Sequence, residues 1–303
     1  MRLILLPVVC ALSAAAQPRI DNVLVRMVPP GATSLAGAHM DRIKATDFYK
    51  KLSEQQKLPQ VDAFAKETGF DPRRDVRELL FANTNTGGVL VARGNFPLHP
   101  DVKDTKPVRH GLYTIQMTGG AGFCILDATL AAAGDLTSVE AALDEWTSGS
   151  HTGAQPLLAI AHEIDPNSQF WAVSSGFAGF LANNMPLARG GIDFSKIFRG
   201  LEDTWLQADF TSGVHAIVHG TAATEQDAVN LRDTAKGLVG LGRLSVPENR
   251  PEMLKMWDGI TVEQMGRNVS IHVDVGQDLV DQLVRMFSSL PGGRGRGRGP
   301  AKP

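Results

Sequence analysis

Residues 268–275 read NVSIHVDV. Val269, Ile271, Val273 and Val275 alternate with Ser270, His272 and Asp274. A strand puts successive side chains on opposite faces, so this period of two gives one buried and one wet face. The preceding ITVEQM (260–265) pairs with it as a hairpin. Sheets of such hairpins are antiparallel and bury their apolar face under helices, which is α+β rather than doubly wound.

The same alphabet extends upstream. TEQDAVNLRDTAKGLVGLGRL (224–244) places Ala228, Leu231, Ala235, Leu238, Val239 and Leu241 broadly on one helical side. LQADFTS (206–212) and GVHAIVHGTA (213–222) read as a hairpin, SQFWAVSSGF (168–177) as a strand and FSKIFRGLEDTW (194–205) as a short helix. DLVDQLVRMF (278–287) closes the fold with Leu279, Val280, Leu283, Val284 and Phe287 on one stripe.

The first half repeats the pattern. TSLAGAHM (33–40) is a strand, and Phe48, Tyr49 and Leu52, then Val61, Phe64 and Ala65, mark helical faces. TGFDPRRDV (68–76) breaks the helix, with Gly69 as C-cap and Asp71-Pro72 in a turn. RELLFANT (77–84) and GGVLVARG (87–94) form a hairpin, and NFPLHPDVKDTKP (95–107) is a loop. HGLYTIQM (110–117) and GFCILDATLAAAG (122–134) supply further strands, and LTSVEAALDEW (136–146) is a helix with Thr137 and Glu140 as a capping box. The composition changes at SGSHTGAQP (148–156), which divides the chain into domains at 17–150 and 151–287. Element order makes the two halves diverged copies of one β-α-β-β unit, with helices packed on one face of antiparallel sheets.

KETGFDPRRDVRELLFA (66–82), GVLVARGNF (88–96), TLAAAGDLTSVEAALD (129–144) and HGTAATEQDAVNLRDTAKGLVGL (219–241) resemble a pattern of exported bacterial proteins of unknown function. The resemblance spans most of residues 30–287. It implies two tandem ferredoxin-like units and no known catalytic residues. The chain departs from the pattern after Asn95-Phe96, where a proline-rich loop replaces the helix that the resemblance implies.

The ends concern location. Arg2, the apolar run Leu3–Ala11 and Ala14-Ala15-Ala16 form a signal peptide cut near Ala16, so the protein is exported, periplasmic or secreted. The apolar run is too short to span a bilayer. Residues 288–303 contain GGRGRGRGPAKP, a tail too poor in apolar groups to offset the entropy of ordering. Arg294, Arg296 and Arg298 make it a polycation for an anionic envelope polymer, and no aromatic residue interleaves to stack nucleic-acid bases. Arg2, the three tail arginines and Lys302 are five of the positive charges; without them the formal charge falls from -2 to -7. An acidic body argues against a nucleic-acid groove.

Catalytic patterns are scarce. After leader removal Cys124 is the one cysteine, in an apolar strand, and reads as a buried inert thiol. His215 and His219 stand four apart, but on a strand four residues span roughly 13 Å, too far for one zinc. His219 with His272 or Asp274 from a neighbouring strand is the remaining metal arrangement; otherwise these histidines line the wet face of a sheet. HEID (162–165) lacks the second histidine of a zinc protease, and no G-x-S-x-G elbow occurs. GLVGLG (237–242) has no Walker lysine, so its glycines serve packing or the helix end. Trp146, Trp171, Trp205 and Trp257 read as core or seam residues. The expectation is a non-enzymatic exported protein that binds or scaffolds an envelope partner, with no cofactor and no metal. The alternative is a metal-dependent or hydrolytic enzyme built around His215, His219, His272 and Asp274.

Overall fold

The computed structural model describes residues 21–55, 62, 65–66, 70–98, 102, 104–149, 152–176 and 200–282. The expected leader, the tail, Val61, Phe64, Gly69 and residues 283–287 of the closing helix lie outside the described residues. The strands are β1 (Ser34–His39), β2 (Val76–Asn83), β3 (Gly88–Gly94), β4 (Lys106–His110), β5 (Tyr113–Thr118), β6 (Ala121–Asp127), β7 (Leu130–Gly134), β8 (Phe170–Ser175), β9 (Leu201–Asp209), β10 (Gly213–Ala222), β11 (Ile260–Met265) and β12 (Asn268–Gly276). The helices are α1 (Asn22–Val25), α2 (Met40–Ala45), α3 (Asp47–Gln55), α4 (Pro72–Asp75), α5 (Leu136–Ser148), α6 (Gln155–Ile160), α7 (Glu225–Leu244) and α8 (Pro251–Asp258). Residues 277–282 begin a further helix.

These strands form one sheet in the order β11-β12-β10-β9-β8-β1-β2-β3-β7-β6-β5-β4. Its ladders are antiparallel. The expected hairpins β2–β3, β9–β10 and β11–β12 are present. The seam at 148–156 falls in the connection from α5 to α6, yet β1 and β8 pair across the two halves. Gly37 stands opposite Trp171 in that ladder, and a Cβ on Gly37 would lie 2.2 Å from Trp171 Cε2, so the absent side chain makes room for the indole. Trp171 is 2% exposed, which bears out its reading as a core residue at the seam.

Four expectations need correction. Helix α5 is capped by Asp135, whose carboxylate accepts from Ser138 N at 3.0 Å and from Ser138 Oγ at 2.7 Å, not by a Thr137–Glu140 box. An aspartate one position before the predicted start is an equally good N-cap and here captures the orphan amide. Leu201–Trp205, expected at the end of a short helix, lies in β9, where pairing with β8 and β10 overrides a weak helical pattern. Lys106 and Pro107, expected in a loop, begin β4, an edge strand where a missing N–H is tolerated.

The first half is also covered on both faces rather than one. Val89, Val91, Leu130, Ala132 and Cys124 pack with Val139, Ala142 and Leu143 of α5 on one side. Ala92, Ile125, Ala131 and Val76 face the other way, toward Met40 of α2, Phe70 and Phe96. In the second half Leu201, Ala222, Val262 and Val269 pack under Ala228 and Leu231 of α7, as the periodicity required. Gly242 of α7 sits against Trp257 of α8, 2.4 Å from its would-be Cβ, whereas Gly237 and Gly240 meet nothing. Close packing therefore accounts for one glycine of GLVGLG. No helix among the described residues is long and apolar enough to cross a membrane.

Candidate functional site

The second face of the first half encloses a half-open cavity of about 460 Å³. This lies within the roughly 300–1,000 Å³ of small-molecule sites. Its floor is the sheet: Ala92 of β3 and Ala131 and Ala133 of β7, flanked by Leu79, Leu90 and Ile125. Register brings the small residues together, because Ala92 pairs with Ala131 and Leu90 with Ala133. A methyl group projects little from the sheet, so this floor leaves space that leucines would fill. The roof and rim come from Met40 and Tyr49 above, Phe70, Pro72 and Arg73 on one side and Phe96, Pro97 and Val102 on another. Phe70 and Phe96 meet with ring centroids 5.2 Å apart.

Local chemistry holds this frame. Asp71 caps α4, accepting from Arg73 N at 3.0 Å, with Pro72 in the first turn where its missing N–H costs nothing. Arg73 forks onto Asp71 at 2.9 and 2.8 Å and reaches Asp62 at 2.8 Å. The Arg73 hydrogen bonds hold the Asp71 carboxyl below its usual range. Lys44 of α2 donates to Arg74 O at 3.1 Å and to Val76 O, tying the roof to the start of β2. Burial lowers the Lys44 pKa despite nearby Asp41 and Asp75. Roof helix α3 is tied to the second half by Phe48 stacking on Phe210 at 5.4 Å and by a Lys51–Asp281 ion pair. Among the described lining residues Tyr49 and Arg73 carry the polar side-chain atoms, and burial raises the Tyr49 pKa so that its phenol stays neutral.

None of these residues was singled out for function in the sequence. The available signal was VLVA in β3 and LAAA in β7, which are apolar without alternation and therefore covered on both faces. That pattern announces a second layer, but not that the layer stops short of the floor.

The histidines lie on the face of β9, β10 and β12 opposite α7. His215 Nδ1 is 3.0 Å from Asp274 Oδ1, and Ser212 Oγ is 3.0 Å from His215 Nε2. His219 instead stacks on Trp205 at 5.1 Å and is hydrogen-bonded to Ser270 Oγ at 3.0 Å. Burial lowers the His219 pKa. His272 Nε2 is 4.0 Å from Glu263 Oε2. Of the four expected ligands only His215 and Asp274 meet, while His219 and His272 go to other partners, and the described residues contain no cluster of three or more His, Cys, Asp or Glu able to hold a metal. Extended strand spacing explains this: His215 and His219 meet the residues opposite them on β12, and His272 a diagonal neighbour on β11. Ser212–His215–Asp274 has the connectivity of a nucleophilic relay, a serine that sequence spacing did not pick out. Its side chains are open to water, His215 at 39% and Asp274 at 76% exposure, so solvent competes with the pairing that would orient the imidazole. Cys124 is buried, and burial pushes its thiol up to about 11.

No protein-family model and no curated protein matches the chain. Among solved structures, crystal form III of TP0453 aligns with a TM-score of 0.52 at 9% identity, over 89% of this chain and 99% of that one. Crystal form I of TP0453 gives 0.45 at 9% identity, over 89% and 97%. The chain is therefore similar in fold to crystal form III of TP0453, a mixed α+β architecture built on a large antiparallel sheet.

Proposed function

We propose that the protein is an exported, non-catalytic binding protein whose ligand site is the apolar cavity above the alanine floor. The observation that carries this reading is an open space of about 460 Å³ whose described lining residues are apolar except for Tyr49 and Arg73. Exposed apolar surface of this kind is costly in water and is retained where a ligand covers it. Export rests on the leader sequence, and the arginine tail serves as a contact for an anionic envelope polymer. Repetition between the halves is supported by β1-β2-β3-β7 and β8-β9-β10-β12 both running outward from the shared central ladder as antiparallel meanders, an order that does not favour a ferredoxin-like unit. The test is equilibrium binding of the apolar fluorophore N-phenyl-1-naphthylamine. Wild type should saturate with one site, and Ala131→Leu should weaken binding at least tenfold. Absence of saturable binding by wild type would overturn the reading.

A second reading, hydrolysis, is favoured by the Ser212–His215–Asp274 geometry. There His215 Nε2 would take the Ser212 proton as Oγ attacks an ester carbonyl. Equal p-nitrophenyl acetate hydrolysis by wild type and Ser212→Ala would eliminate it.

A further inference from the structure

We infer that the cavity takes an uncharged amphiphile, an alkyl chain ending in a neutral hydrogen-bonding head, and not a fatty acid or other anion. This rests on the cavity being the ligand site and adds the class of ligand. The argument starts from charge. Among the described lining residues Arg73 is the one charged side chain. An unpaired arginine at the mouth of an apolar pocket would be a carboxylate clamp, because its planar fork matches two carboxylate oxygens. Here that fork is occupied: Nε and Nη2 donate to the two oxygens of Asp71, at 2.9 and 2.8 Å, and Nη1 lies 2.8 Å from Asp62. Arg73, Asp71 and Asp62 together carry one net negative charge, so this cluster has no free positive charge to receive an anionic head.

The next cation along the chain is equally engaged, since Arg74 donates to both oxygens of Asp75 at 2.7 Å. A cationic head fares no better inside, because the described residues of the floor and walls offer hydrocarbon and no carboxylate with which to pair it. What the lining does offer is the neutral Tyr49 phenol, able to donate to or accept from a hydroxyl, ester or amide. The rest is the alanine floor, the Phe70–Phe96 pair and aliphatic walls, which suit a chain of methylenes.

The experiment is displacement of N-phenyl-1-naphthylamine from the full chain at pH 8 by three homologous series: 1-alkanols, alkanoates and alkyltrimethylammonium ions. Alkanols should compete, each added methylene tightening binding about fourfold, the equivalent of ~0.8 kcal/mol per buried CH₂, until the space is filled. Alkanoates and ammonium ions of equal chain length should bind at least tenfold more weakly. Alkanoates binding tighter than alkanols, with the advantage lost in Arg73→Gln, would overturn the inference while leaving the cavity as the site. Retention of the fluorophore by Ala131→Leu and Ala133→Leu at wild-type affinity would instead remove the cavity itself, and the inference with it.

Discussion

Replacing Ala131 with leucine should stabilise the protein, whereas the same change at Ala132 should destabilise it. The two residues are neighbours in β7 but point to opposite faces. Ala131 belongs to the cavity floor, and its cross-strand partners are Ala92 and Ile125. Ala132 borders the cavity too, but it is 2% exposed and packed in the core with Val91 and Leu130. Leucine adds three carbons. In the open space each should contribute ~0.8 kcal/mol of burial. Loss of rotamer freedom offsets ~0.5–1 kcal/mol, leaving a gain of about 1.5 kcal/mol. At Ala132 the same carbons meet atoms already at close packing, and overpacking costs ~1–3 kcal/mol. Urea denaturation resolves the difference, since ~1–3 kcal/mol per molar of denaturant puts the Ala131→Leu midpoint about 0.5 M or more above wild type. A midpoint lowered as far by Ala131→Leu as by Ala132→Leu would mean that the space over the floor is filled in solution, and the reasoning about the cavity would collapse.

Gly37→Ala should lower stability by ~1–3 kcal/mol, because its methyl would lie 2.2 Å from Trp171 Cε2; an unchanged thermal midpoint would show that the indole does not cover Gly37. Cys124 should react with a thiol reagent at pH 8 only after unfolding, its buried thiol being raised to about 11; labelling of native protein at the rate of a free thiol would contradict this. Burial lowers the folded-state pKa of His219 below its usual 6.5, so below that pH the unfolded chain binds more protons. Stability at this site is thus complete above 6.5 and falls as pH drops through the folded pKa. His219→Gln should reduce the loss of urea midpoint between pH 7.5 and 5, and an identical loss in both proteins would refute the assignment.

The strands that alternate were legible because their period is set by geometry alone. NVSIHVDV and GVHAIVHGTA occupy β12 and β10 as read, and Thr224 caps α7 at its expected start. Adjacent strand-like runs told which strands form hairpins, but not that β1 would zip onto β8, because long-range pairing leaves no local mark. Leu201–Trp205 was misread since its helical pattern is weak and its two neighbouring strands decide the outcome. His215 and His272 were correctly placed on a wet face, whereas His219 is half-covered beside Trp205, and which partner each would meet depends on cross-strand register. The cavity was the least legible part. A void is a property of what three separated segments fail to fill, and Ala92, Ala131 and Ala133 carry no sign of it when read one at a time.

The β1–β8 ladder governs the order in which the chain can be completed. β1 acquires its β2 partner early, but its other edge waits until residues 170–174 arrive, after the entire first half has been made. Until then Ser34–His39 offers a row of unpaired amides and carbonyls in an apolar setting, a template for another strand. A first half expressed alone keeps that edge permanently open. It should pair with its own copies, and a separately supplied second half should suppress that self-association by contributing β8.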